Sequence, residues 1–368
     1  METKEYIPFE ATHPGFVLKE ELQARGIKQK EFALDIDMQP TMLNELIKEK
    51  RAITAEIALS LEKALDIPAD FWMRFQAGYE LDCARIKERN IRKTQQIEIW
   101  ALIKQFVPVS IFEKRGILTN SLSENISRIW EIFEVKSVTE LEASFLSNKK
   151  IAFYKKSEKL TNDQQNIFAW SKLAHWSAKP VTPSQFQIQN KEEIIAQLKT
   201  LYRQNVDVIS GTKKILNDNG IKFLIIEKFK QSPIDGYSFW SVNNPAMVLT
   251  LRKKNLDNFT FSVMHELGHI FEHLQPNHDE DFLDIEYPEA ELNEKEIEAN
   301  LFANNCFIDN STWQMFLDQN SRFNYETTDR NIKILADSLK IHSSIIFGRY
   351  SYETKQFKIK TTIDRTIN

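Results

Sequence analysis

The stretch F-T-F-S-V-M-H-E-L-G-H-I-F-E-H, Phe259 to His273, constrains this chain more than any other feature. His265 and His269 are four residues apart with Glu266 between them. On an α-helix, positions i and i+4 share a face, one turn apart. Two imidazoles so placed bind one Zn²⁺, and the intervening glutamate sits beside the water that such an ion activates. Leu267 and Ile270 are expected to face a core, and Val263 and Met264 continue the apolar run upstream, so the pattern predicts a buried helix with two ligands at one edge. Gly268 costs such a helix about 1 kcal/mol against alanine. Close approach of another backbone or of a substrate would account for it.

A catalytic zinc site ordinarily takes three protein ligands. His273 is a poor third, because on a continuous helix it lies eight residues, about 12 Å, from His265. A carboxylate from a second helix is the better solution, and Glu291 to Asn305, E-L-N-E-K-E-I-E-A-N-L-F-A-N-N, offers one. Glu298 stands where the acidic run turns apolar (Ala299, Leu301, Phe302, Ala303), at the seam between surface and core. Glu291, Glu294 and Glu296 read as a solvated face, and Asp279, Glu280 and Asp281 as loop residues.

The two cysteines, Cys83 and Cys306, form neither a disulfide framework nor a C-x-x-C zinc pattern. The first residues lack a charged-then-apolar leader and no apolar run is long enough to span a bilayer, so the expected location is the cytoplasm, with no membrane partner. The net charge of −4 supplies no bulk attraction to nucleic acid, so any DNA contact must come from a local basic surface.

Such a surface is available near the amino end. Pro14-Gly15 opens a helix ended by Gly26; further helices fit Gln29–Ile36, Pro40–Lys48 and Thr54 to about Leu65, and a fifth follows Pro68. The second and third have helix-turn-helix dimensions. The third would lie in the major groove with Gln39, Thr41, Asn44 and Lys48 toward the bases, while Lys28, Lys30, Lys50 and Arg51 touch phosphates.

Residues 96–185 carry apolar stripes at helical spacing, Ile97 to Phe106 and Ile126 to Phe133, and read as a helical connector in which His175 is structural. Beyond it, Glu192–Tyr202 reads as a helix, Ile221–Ile226 and Ala246–Leu251 as strands, and Asp235-Gly236 as a turn. The second strand is a candidate edge for pairing with an extended substrate. The fold class is mainly α with a small sheet (α+β). The domains are expected at 10–95 (five helices), 96–185 (connector), 186–310 (metal domain) and 311–368 (C-terminal helical segment).

Two resemblances sharpen this reading. H-P-G-F-V-L-K-E-E-L-Q-A-R-G-I-K-Q-K-E-F-A and I-T-A-E-I-A-L-S-L-E-K-A-L-D-I-P-A-D-F-W resemble the XRE-type helix-turn-helix of HigA-like antitoxins. This implies a domain that binds double-stranded operator DNA, often as a homodimer. H-E-L-G-H-I-F-E-H together with E-I-E-A-N-L-F-A resembles the ImmA/IrrE family of gluzincin-like metallopeptidases. That resemblance implies Zn²⁺ held by His265, His269 and Glu298, the glutamate of E-A-N, with Glu266 as the base. Tyr237 and His278 are candidate oxyanion stabilisers.

The combination implies a transcriptional regulator whose zinc endopeptidase cleaves a partner repressor. The rival expectation is an antitoxin or autorepressor that meets a cognate toxin and whose zinc domain is structural or sensory.

Overall fold

The computed structural model describes residues 7–147, 162–230, 232–252, 254–285, 294–320, 325–357 and 360–368. Backbone contacts divide the chain into two units, Met1–Trp100 and Ala101–Asn368.

The first unit begins with α1 (Pro14–Ala24), α2 (Gln29–Asp35), α3 (Pro40–Ile47) and α4 (Ala55–Leu65). Pro14 sits in the first turn of α1, and the His13 ring nitrogen Nδ1 accepts from the Gly15 amide at 2.9 Å, taking up one of the amides a helix start leaves unpaired. Thr54 caps α4 in the same way. Leu18, Leu22, Phe32, Leu43, Leu46, Leu61, Leu65 and Trp72 form the core. Gly15 is required here: a Cβ would lie 1.8 Å from the Leu46 carbonyl oxygen, so only glycine lets α1 reach the backbone of α3.

Helix α5 (Ala69–Phe106) runs on where the sequence predicts a new connector. Its apolar stripe is not all core, since Ile97 is exposed while Ile103 is buried.

In the second unit, α6 (Val109–Lys114), α7 (Leu122–Phe133), α8 (Val138–Leu146) and α9 (Asn162–Ala178) are followed by α10 (Lys191–Gln204) and α11 (Val208–Asp218). The sheet comprises β1 (Lys222–Ile225), β2 (Ile234–Ser241), β3 (Asn244–Leu249) and β4 (Asp281–Ile285), in the order β1-β3-β2-β4. β1 runs parallel to β3, while β2 is antiparallel to both β3 and β4.

Three expectations are corrected here. Asp235-Gly236 is not a turn but lies inside β2, at a register irregularity between Ile234 and Gly236. The strand expected at an edge, β3, is flanked on both sides, and the edges are β1 and β4. Asp281 opens a strand, not a loop.

Helix α12 (Leu256–Gly268) crosses one face of the sheet and passes directly into a π-helical turn, His269–Leu274. Then follow α13 (Glu294–Phe307), α14 (Asn310–Gln319), α15 (Tyr325–Leu339) and α16 (Ser343–Glu353). The remaining tail returns to α12: Thr366 bridges Asn255, and Arg365 donates from Nε and Nη2 to the Asp257 carboxylate at 3.1 and 2.7 Å. The start of the helix that carries the histidines is thus pinned by the last residues of the chain.

Candidate metal centre

Val263, Met264, Leu267 and Ile270 are wholly buried, as the apolar spacing requires, and this fixes the rotation of α12. His265, Glu266 and His269 are buried with them. The Nε2 atoms of His265 and His269 lie 3.1 Å apart. Gly268 stands where α12 meets α13: a Cβ would fall 3.1 Å from the Ala299 Cα and 3.2 Å from the Phe302 ring. Close backbone approach explains that glycine.

The third donor on α13 is not the one the sequence reading selected. Glu296 Oε2 lies 3.3 Å from His265 Nε2 and 3.5 Å from His269 Nε2, with 11% of its side chain exposed. One donor atom from each of the three residues falls within a common 4.8 Å. Glu298 is 62% exposed, and its Oε2 accepts from His273 Nε2 at 2.9 Å, away from this cluster. The physical reason is helical phase: two residues rotate a side chain by about 200°, so Glu296 and Glu298 cannot share a face. Asn300, one turn after Glu296, meets His265 Nδ1 through its Oδ1 at 3.0 Å. The expectation that Glu296 belongs to a solvated face is corrected by its burial; Glu291 lies outside the described residues.

The electrostatics follow from burial and pairing. Burial alone would lower the His265 pKa, but the hydrogen bond with Glu296 and the charges of Asp284, Glu266 and Glu296 outweigh it and hold the group at about 9. Burial, aided by the neighbouring histidines, takes His269 down to about 4 against the pull of Glu296. Burial pushes Glu296 up, yet its close approach to the two histidine rings wins and brings it to about 2. Asp284, in the wall beside His265, is pushed up by burial to about 6.

Glu266 is held differently. Burial pushes its pKa well above the usual carboxylate range. Ser238 Oγ donates to its Oε2, while Oε1 is buried with no hydrogen-bond partner among the described residues. Ser238 and Gly236 lie on the face of β2 toward α12, and a Cβ at Gly236 would fall 1.9 Å from Glu266 Oε1. Alternation along the strand sends Tyr237 and Phe239 to the opposite face, against α9. There the Tyr237 hydroxyl meets His175 Nε2 at 2.7 Å and donates to Asp281 Oδ2 at 2.6 Å. Tyr237 is thus removed as an oxyanion candidate, and His175 is structural as expected. His278 is exposed and stacks on Trp240, with ring centroids 3.5 Å apart.

A cavity of about 300 Å³ opens beside His265 and Glu296, with Phe261, Leu251, Phe307 and Ile345 on its apolar walls and Arg252 and Asp284 among its polar ones. Two imidazole nitrogens, a carboxylate oxygen and a neighbouring carboxylate with an orphaned buried oxygen fit a zinc ion in both donor chemistry and spacing. The sequence signal that would have found Glu296 is the pair Glu296–Asn300, an i, i+4 match to the two ring nitrogens of His265.

In the first unit, Thr41, Asn44 and Lys48 line one exposed side of α3 and its end, with exposed Gln39 just before it. Lys28, Lys30, Lys50 and Arg51 are exposed as well. Lys28 is paired with Glu31 at 3.1 Å and Arg51 with Glu45 at 2.8 Å.

Residues 18–72 match the family model of the helix-turn-helix domain, and residues 218–335 match that of the IrrE N-terminal-like domain, peptidase M78. Virulence-associated protein A of Dichelobacter nodosus is 45% identical over 71 residues, which are 19% of this chain and 70% of that protein. Virulence-associated protein I of the same organism is 34% identical over 82 residues, 22% of this chain and 76% of that protein. Among solved structures, Pseudomonas aeruginosa antitoxin HigA with the higBA promoter is 28% identical, covering 23% of this chain and 94% of that one, with a TM-score of 0.22.

Proposed function

The chain belongs to the helix-turn-helix family at its amino end and carries an IrrE N-terminal-like domain at its carboxyl end, and on that premise we propose that it is a DNA-binding regulator with a zinc-dependent endopeptidase site. The observation that carries the peptidase reading is the convergence of His265, His269 and Glu296 beside Glu266, whose one free oxygen is buried.

His265 and His269 through Nε2, and Glu296 through Oε2, are the residues that would hold the ion. Zinc bound there supplies a Lewis acid for a peptide carbonyl and lowers the pKa of water. Glu266 receives the proton at Oε1, while the Ser238 hydroxyl fixes Oε2 and keeps the carboxylate from rotating. Glu266 holds that proton until the leaving amine takes it. Asn300 fixes the His265 ring through Nδ1.

The substrate on this reading is a protein, a partner repressor or regulator, cleaved beside the cavity that Phe261 and Phe307 line. Glu266→Gln is expected to retain zinc and to abolish cleavage of that partner. Undiminished cleavage by the variant would refute the base assignment.

Gln39, Thr41, Asn44 and Lys48 are the residues proposed to meet base edges, with Lys28, Lys30, Lys50 and Arg51 on phosphates. An operator duplex, bound by a homodimer in the cytoplasm, is the proposed partner. The logarithm of its binding constant should fall linearly with the logarithm of salt concentration, and Lys48→Ala should reduce affinity. Absence of any salt-dependent duplex binding by the full chain would refute the DNA reading. Duplex binding and zinc uptake without cleavage of a partner would instead favour an antitoxin or autorepressor whose zinc domain is structural.

A further inference from the structure

We propose that His273 and Glu298 form a hydrogen-bonded relay behind His269 that holds its ring in the one tautomer able to bind a metal through Nε2. The inference rests on the zinc reading above and assigns positioning roles to two residues outside the ligand set.

The π-helical turn His269–Leu274 brings the two rings together, with His269 Nδ1 and His273 Nδ1 3.1 Å apart. A single π turn within a helix is a recurrent feature of functional sites. His273 Nε2 in turn lies 2.9 Å from Glu298 Oε2. Phe282 covers both rings, stacking on His269 at 4.4 Å and lying 5.2 Å from His273. The rings are buried, while Glu298 reaches solvent.

Proton accounting allows one arrangement for neutral rings. A carboxylate only accepts, so His273 carries its proton on Nε2 and presents a lone pair at Nδ1. His269 must then donate from Nδ1, which leaves its Nε2 lone pair facing His265 and Glu296. The opposite arrangement places a proton on His269 Nε2, where a metal has to bind, and leaves Glu298 facing a lone pair. Glu298 thus selects the metal-competent form from two rings away. His265 has a shorter support, the neutral Asn300 amide, so the two histidines are oriented by different chemistry. Partners of this kind behind a metal-bound histidine typically contribute 10- to 100-fold in metal affinity.

The test uses the full chain, with zinc alone as the probe. Zinc dissociation constants are measured by competition with a chelator for wild type, Glu298→Ala, Glu298→Gln and His273→Phe. Histidine tautomers are read in the metal-free proteins by long-range ¹⁵N–¹H NMR. Wild type should show His269 protonated at Nδ1 and His273 at Nε2. Glu298→Ala should mix the tautomers and weaken zinc about 10- to 100-fold. Glu298→Gln should do the same to a lesser degree, because an amide both donates and accepts. Glu298 is exposed, so its variants test the relay even if His273→Phe does not fold. Wild-type tautomers and zinc affinity in Glu298→Ala would overturn the proposal. A wild-type chain that takes up no zinc would refute the zinc reading, while its tautomers would still decide the relay.

Discussion

Gly236 approaches Glu266 so closely that a Cβ built on it would stand 1.9 Å from the Glu266 Oε1 atom. That oxygen is the buried, unpartnered one. Gly236→Ala must therefore push the carboxylate or bend β2. Displacement of a reacting group by about 1 Å can cost about 100-fold in rate. The variant is expected to lose cleavage by about that factor while its zinc content, set by other side chains, stays at the wild-type level. Loss of zinc together with activity would show that the strand shift reaches the ligands.

Tyr237 should affect stability and not chemistry, because it lies on the sheet face away from Glu266. Tyr237→Phe removes a hydroxyl that bonds both His175 and Asp281. Hydrogen bonds to charged groups contribute about 1.5–3 kcal/mol, so denaturant unfolding of the variant should show a loss of that order. Cleavage by the folded variant should be unchanged; a fall of about 100-fold would return Tyr237 to the active side.

The tail of the chain should matter to the centre. Arg365 makes two charged hydrogen bonds to the buried Asp257 carboxylate at the start of α12. Arg365→Ala leaves that carboxylate buried without them and should cost about 2 kcal/mol or more. Chemical denaturation checks it, and stability equal to wild type would contradict the bracing role.

The Cys306 thiol is pushed up to about 12 by burial, against the opposing charges of Lys199 and Lys191. At pH 8 almost none is thiolate, so alkylation followed by mass spectrometry should find Cys306 unmodified in the native chain. The sign for stability follows: the unfolded thiol releases its proton from about pH 9, so this contribution is present below pH 9 and is lost as pH rises toward 12. Fast labelling of Cys306 at pH 8 would contradict the raised pKa.

Much of this architecture was legible in the residues. The proline, glycine and threonine signals marked the helices of the first unit, because caps and breakers act locally. The apolar spacing of Val263, Met264, Leu267 and Ile270 fixed the buried face of α12 and the edge that carries its histidines. What was hidden depended on tertiary placement. Gly236 in β2 looks like a turn residue until Glu266 is seen to occupy the space of its side chain. Glu296 looks like one more surface charge in an acidic run, and only the crossing of α12 and α13 turns it inward. Glu298 stood at the border of the apolar residues, but the π turn brings His273 to meet it. β4 carries Asp281, Asp284 and little strand signal, since its pairing with β2 supplies what its composition lacks.

The most direct test of the zinc centre is metal content by mass spectrometry after equilibration with excess zinc and desalting. Wild type is expected to retain about one zinc per chain, and His265→Ala and Glu296→Ala close to none. A full complement of zinc in Glu296→Ala would contradict the ligand set of His265, His269 and Glu296.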